Sequence, residues 1–264
     1  MKNKLAPVFL SLALTGCSMR LMALRTTADL LETGVTAVYE ETDVRYAREA
    51  MTSHLKLLEA LLKNDPKNPK LLFSLTQGFG GYAFLFIEDE NPERARYFYL
   101  KGRDYGRRLL AIKPEDAPAL FWTAYCWAGW AALSLTNPDA IADLPKVEAM
   151  VRQAEQLNPG YFYSGADQLL GAYYASRPKM FGGDLAKSKS HFENAVKKTD
   201  GKFLMAQVLY AKYHAVAAQD RKHFESLLDG VITAPADVLP EQGLPNQVAR
   251  EKAKRLLGKI DELF

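Results

Sequence analysis

The sequence predicts an all-α fold: a right-handed solenoid of four helical hairpins with capping helices at both ends. Three observations carry that expectation. First, strong breakers recur. "NDPKNPKLLF" near Asp65, "IKPEDAPALF" near Pro114 and "LNPGYFYSG" near Pro159 each end a charged amphipathic segment and open an apolar one, and "KTDGKFLMA" near Asp200 does so without proline. Second, the stops are somewhat over forty residues apart, and the segment that each opens holds an inner break: "EDENPERA", "SLTNPDAI", "RPKMFGGD" and "AAQDRKHF". Third, no stretch alternates apolar and polar residues as a half-buried strand does.

Taken in chain order, the first segment is a targeting signal. In "MKNKLAPVFLSLALTGCSMR", Lys2 and Lys4 precede an apolar run too short to span a bilayer, and Leu14-Thr15-Gly16-Cys17 ends it. Charge, apolar run and Leu-x-Gly-Cys in that order are the pattern of a bacterial lipoprotein. Small residues before Cys17 admit a peptidase, and only a thiol there can take a thioether-linked diacylglycerol. The expected organisation is a signal peptide over 1–16, a lipidated tether over 17–24 and an α-solenoid over 25–264. Acyl chains such as palmitate, at about 0.8 kcal/mol per buried methylene, hold such a protein on the membrane. Ser18 after the cysteine points to the inner leaflet of the outer membrane, facing the periplasm.

Helices over 25–39 and 43–63 are expected to cap one end of the solenoid, and a polar, lysine-rich helix over 246–264 the other. Between them, Ser188, Phe192 and Ala195 follow the small-x3-aromatic-x2-Ala spacing of a tetratricopeptide (TPR) second helix, and Val147, Val151, Ala154 and Pro159 hold the matching places one hairpin earlier. Gly102, Gly106 and Leu109 stand there in the hairpin before that, so the repeat is TPR-like and degenerate. "MFGGD" reads as the turn of the third hairpin. Asp184 suits an N-cap, and its charge disfavours a phosphate at that helix start.

Charge excludes a further class. The formal balance of +3 falls to +1 once Lys2 and Lys4 are cleaved away, which leaves no electrostatic case for nucleic acid. With Cys17 acylated, Cys126 has no disulfide partner and reads as a small buried hydrophobe.

The first helices carry more aromatic surface than a two-layer solenoid needs. "FSLTQGFGGYAFLF" supplies Phe73, Phe79, Tyr82, Phe84 and Phe86; "LFWTAYCWAGW" supplies Phe121, Trp122, Tyr125, Trp127 and Trp130; the third hairpin adds Tyr161, Phe162, Tyr163, Tyr173 and Tyr174. At 100° per residue the second set surrounds its helix. Such helices are either buried all round or line a cavity. As lining of a pore or pocket the expected residues are Phe79, Tyr82, Phe86, Trp122, Tyr125, Trp130, Tyr163, Tyr173 and Tyr174, with the hydroxyls of Tyr82 and Tyr173 suited to orient a carboxylate. Gly78, Gly80 and Gly81 within the first helix imply close helix approach or a bend.

"LNPGYFYSGADQLLGAYYASRPKMFGGDLAKSKSHFENAV", together with the lipobox and "GFGGYAFLFIEDE", resembles the TatT family, the T-component lipoproteins of tripartite ATP-independent periplasmic (TRAP) transporters. The resemblance spans the mature chain and is most specific from Asn158 to Asp184; Ala166 stands where many members have glycine. It implies a TPR-like lipoprotein with a pore or pocket, paired with a periplasmic TRAP substrate-binding protein and self-associating as a trimer.

Catalysis has no support. His54, His191, His214 and His223 show no zinc-ligand spacing, so no metal or other cofactor is expected. Glu88, Asp89 and Glu90 read as a solvated helix terminus, and Arg103, Arg107 and Arg108 as an exposed helix face. The expected role is non-enzymatic: passing or receiving a small, partly apolar organic acid with a substrate-binding protein. The alternative is a TPR scaffold lipoprotein for protein–protein contacts in envelope assembly.

Overall fold

The computed structural model describes the backbone of residues 6–264, and the side chains of Met19 and of residues 21 onward except 32 and 33. The start of the predicted signal peptide and the Cys17 side chain lie outside the described residues.

The prolines that punctuate the sequence start helices. Asn68, Asn91 and Asn137 each accept hydrogen bonds from backbone N–H groups of the turn that follows, and Pro69, Pro92 and Pro138 stand directly after them. Asp116 caps in the same way ahead of Pro118. A short acceptor at the cap with proline in the first turn leaves no needed donor unpaired. Asp43, Asp184 and Asp220 cap without proline.

The helices run α1 (Ala6–Glu40), α2 (Val44–Leu62), α3 (Pro69–Tyr82), α4 (Pro92–Leu110), α5 (Ala117–Ala132), α6 (Pro138–Leu157), α7 (Tyr161–Ala175), α8 (Leu185–Lys198), α9 (Leu204–Leu209), α10 (Arg221–Thr233), α11 (Gly243–Leu257) and α12 (Ile260–Leu263). Among the described residues there is no strand, and no helix is long and apolar enough to cross a membrane. The expected hairpins are α3–α4, α5–α6, α7–α8 and α9–α10. From α1 to α11 each helix packs on its sequence neighbour, and the first helices also touch one another in the order α3, α5, α7, α9. This two-row stacking is that of a TPR-like solenoid.

Second-helix positions show how the repeat packs. Ser188, Phe192 and Ala195 are fully buried, as are Val147, Val151 and Ala154. A buried Phe or Val there contributes about 1.5–3 kcal/mol. The glycine variant in α4 has a steric cause: a Cβ on Gly102 would lie 2.6 Å from Cys126 Sγ, and one on Gly80 of α3 2.7 Å from the same atom. Three helices meet around that sulfur. Cys126 is buried and its thiol donates to the Thr76 carbonyl.

The C-terminal segment does more than cap the last hairpin. Helix α11 begins at Gly243, packs on α9 and α10, and also reaches α1 and α2 at the other end of the chain. Asn246 on α11 accepts from Leu204 N and donates to the Lys202 carbonyl. Lys252, almost wholly buried, meets Asp89 at 2.6 Å. The solenoid therefore closes on itself.

Candidate functional site

The first helices turn apolar side chains toward a common centre. Phe84 and Leu85 come from the end of α3, Phe121, Trp122 and Tyr125 from α5, Phe162 and Leu169 from α7, and Met205 and Leu209 from α9; Tyr39 of α1, Phe203 and Pro245 complete the wall. The enclosed volume is about 50 Å³. That holds a few waters at most and is far below the 300–1,000 Å³ of ordinary ligand pockets. The rings fill most of the space between the helices.

Three local departures from α-helical geometry lie at or beside this centre. Residues Ala83–Ile87 extend α3 as a π-helical turn, and Tyr210–Ala215 extend α9 in the same way. Such one-turn insertions redirect side chains and are frequent at functional sites. The first carries Phe84 and ends beside Glu88 and Asp89; the second carries Lys212. At the start of α7, Phe162, Tyr163 and Ser164 adopt left-handed backbone angles, with φ of 47°, 54° and 57°. L-residues pay about 1–2 kcal/mol each for this conformation. It swings Phe162 to 4.6 Å from the Trp122 ring and within ring contact of Tyr39, Phe121 and Phe203. Gln168 Nε2 donates to the Tyr163 carbonyl at 2.8 Å, pinning the turn. Gly165 follows because a Cβ would stand 2.4 Å from the Phe121 ring. The "NPGYFYSG" stretch is thus a left-handed turn that seats an aromatic ring.

The sequence-predicted lining residues divide. Trp122 and Tyr125 face the cavity; the Trp122 indole donates to Tyr161 Oη at 3.0 Å, and burial pushes the Tyr125 phenol well above its usual pKa. Phe86 lines a larger neighbouring cleft of about 620 Å³, whose rim holds Arg45, Arg48, Glu90 and Arg255. The other six pack elsewhere. Phe79 stacks on Phe98 and Tyr105, and Tyr82 meets Phe86 and Phe98. Trp130 lies under the Arg103 guanidinium. Tyr163 stacks on Phe203 at 4.8 Å. Tyr173 is covered by Arg177, and Tyr174 bonds Glu148 and Arg152. The cavity rings Phe84, Phe121 and Phe162 stood in the aromatic runs; the π-turn sets the direction of Phe84 and the left-handed turn that of Phe162, whereas Phe121 projects from the regular helix α5.

Glu88 and Asp89 are not the solvated terminus that a local reading suggests. The Glu88 carboxylate accepts from Tyr99 Oη at 2.6 Å and pairs with Lys212 at 3.4 Å. Asp89 Oδ2 accepts from Lys252 and from Arg255 at 2.8 Å. These partners lie more than 120 residues away, except for Tyr99. Burial pushes the Asp89 pKa up, but Lys252, Arg255 and Lys212 together outweigh it and hold the carboxyl below its ordinary value. Burial lowers the Lys252 pKa in spite of its partners, whereas Tyr213 and Glu88 beside Lys212 raise that of Lys212. Arg103 lies over both Trp127 and Trp130 instead of on an open face.

Glu155, Asp167 and His191 come within metal-ligand distance of one another, although spacing does not reveal it. Asp167 is buried and its two oxygens are taken by His191 Nδ1 at 2.9 Å and Lys198 at 2.8 Å. Burial raises the Asp167 pKa, and these two contacts overcome it. The arrangement is an ion-pair strut between α7 and α8.

The model of the family described as "TRAP transporter T-component" matches residues 40–114 and 107–264. An uncharacterised protein of Treponema pallidum (strain Nichols) is 22% identical over an alignment covering 90% of this chain and 85% of that protein. The crystal structure of a thermophilic TPR protein of Thermus thermophilus superposes with a TM-score of 0.54 at 16% identity, over 80% of this chain and 94% of that one. This last likeness concerns the fold.

Proposed function

Because the chain belongs to the TRAP transporter T-component family, we propose that it is a non-enzymatic, lipid-anchored accessory of a TRAP uptake system. It sits in the periplasm, held through Cys17 to the inner leaflet of the outer membrane. There it receives or passes a small, partly apolar organic acid with a TRAP substrate-binding protein, and it assembles as a homotrimer. The observation that carries the ligand part is the convergence on one centre of aromatic side chains from three of the four first helices, with Met205 and Leu209 of the fourth and Phe203 just before it. A core needing only burial has no use for two π-turns and a left-handed turn at one place. The cavity is narrow, so entry requires rings such as Phe84 to part.

The test is tryptophan emission of the full-length protein titrated with carboxylic acids of increasing chain length. A response that disappears in Trp122→Phe and persists in Trp130→Phe supports the cavity. No response from the wild type to any acid rejects it. The small volume favours a second reading, a TPR scaffold that binds other proteins. In that case a TRAP substrate-binding protein, or another envelope protein, binds with no effect of any acid on its affinity.

A further inference from the structure

We propose that the acid group of the ligand is held outside the aromatic cavity by the lysines between α9 and α11, with the hydrocarbon part pointing inward past Phe84. This deepens the proposed function and rests on it. A second cleft, of about 140 Å³, lies beside the aromatic cavity and shares Phe84 and Leu209 with it as a common wall. Its polar lining is Lys212, Lys252, Arg255 and Lys259 against the single carboxylate of Asp89. Including Glu88, which pairs with Lys212 from α3, the cations outnumber the carboxylates by two. Lys252 is buried and Lys212 partly so, while Arg255 and Lys259 stand exposed at the edge, and such a surplus of positive charge facing a cleft attracts an anion.

The donors are unevenly committed. Lys252 and Arg255 are both spent on Asp89 Oδ2. Lys212 makes a long contact to Glu88, at 3.4 Å, and meets the Tyr213 side chain, which leaves one of its three N–H donors uncommitted, and its side chain remains 34% exposed. Lys259 lines the cleft, and among the described residues no carboxylate stands within ion-pair distance of it. Lys212 and Lys259 therefore have N–H donors free for a carboxylate. Lys252, 4.7 Å above the Phe84 ring, marks the junction of the polar and apolar halves. A cationic cleft opening onto an aromatic wall fits an amphiphilic monocarboxylate with a short hydrocarbon chain. A dicarboxylate would have to bury its second charge among rings, where the cavity wall offers no cation to meet it.

The experiment compares hexanoate, its uncharged counterpart hexanamide, and the dicarboxylate adipate by isothermal titration calorimetry, using the full-length protein in phospholipid nanodiscs. Hexanoate is expected to bind about tenfold to a hundredfold more tightly than hexanamide, the span of a hydrogen bond to a charged group. Lys212→Gln combined with Lys259→Gln should remove that preference and leave hexanamide unchanged. Thermal unfolding checks that the variant folds, and Lys259→Gln alone, at a cleft-edge lysine with no ion pair, should lose part of the preference even if the double variant does not fold. Equal binding of hexanoate and hexanamide to the wild type, or adipate binding as tightly as hexanoate, overturns the lysine assignment and leaves the aromatic cavity standing. Binding of none of the three overturns both.

Discussion

Replacing Ser164 by glycine separates a left-handed turn from an ordinary helix start. Ser164 has φ 57° and ψ 40° and is buried, and its hydroxyl is not needed to cap α7. An L-residue held there pays about 1–2 kcal/mol that glycine does not. Against this, glycine gives the unfolded chain more freedom, worth roughly 0.5–1 kcal/mol. The net effect of Ser164→Gly is therefore between about zero and 1.5 kcal/mol of added stability. Ser190, exposed within the right-handed helix α8, is the control. There, glycine has no strain to relieve and should cost about 0.5 kcal/mol through helix propensity. The two variants should differ by about 1 kcal/mol, which for a chain of this size places the Ser164→Gly midpoint roughly 2–4 °C above that of Ser190→Gly. Differential scanning calorimetry at one pH and protein concentration measures both. If Ser164→Gly falls as far as Ser190→Gly, the turn is not left-handed and the account of how Phe162 reaches Trp122 fails.

Gly165→Ala should have the opposite sign, because the new methyl meets a Phe121 ring already enclosed by Trp122, Tyr161 and Phe162; a loss of about 1–3 kcal/mol in urea unfolding is expected. At Glu59, burial raises the pKa, but the contacts from Lys101, Lys56 and Tyr105 outweigh it and bring it down to about 2. Since the folded pKa lies below the unfolded one, its stabilisation is present above about pH 4.5 and disappears as the pH falls toward 2. Glu59→Gln should thus cost about 1–2 kcal/mol at pH 7, allowing for solvent screening, and nothing near pH 2; an equal cost at both, in urea titrations across that range, would refute the ion-pair account. Asp184 Oδ1 accepts from Ala186 N and Lys187 N, both at 3.0 Å, so Asp184→Ala should lower the thermal midpoint by roughly 2–4 °C and Asp184→Asn by much less. Cys17→Ser should leave a product that is either in the aqueous phase of a detergent partition or still carries the uncleaved signal peptide by mass, while the wild type is cleaved and enters the detergent phase.

The helical hairpins and their turns were legible because caps and prolines act within a few residues. Asn68-Pro69, Asn91-Pro92 and Asn137-Pro138 announce helix starts whatever the rest of the chain does. The family was legible from Asn158 to Asp184, although the reason for that motif, a left-handed turn under Phe162, was not. The directions of the aromatic rings were harder to read, since one extra residue in a π-turn rotates everything beyond it by about 100°. Phe84, inside the π-turn, lines the cavity, whereas Tyr82, the last residue before it, packs on Phe86 and Phe98. The lysine cleft was out of reach, because Asp89 meets Lys252 across 163 residues of sequence and no local pattern carries that pairing.

The return of α11 to α1 and α2 changes what kind of object the chain is. An open repeat array behaves as a one-dimensional row of units, each held by its neighbours, and it frays from its ends. Joining the ends removes the weakest units from that row, so loosening any hairpin must also break the Asp89–Lys252 closure or strain it. Exchange of the most protected amides of α3, α5, α7 and α9 should then occur through one opening event of common free energy, with no gradient from the termini. Folding bears the corresponding burden: the closing contacts are among the most distant in the sequence, and the chain must assemble its hairpins before it can make them.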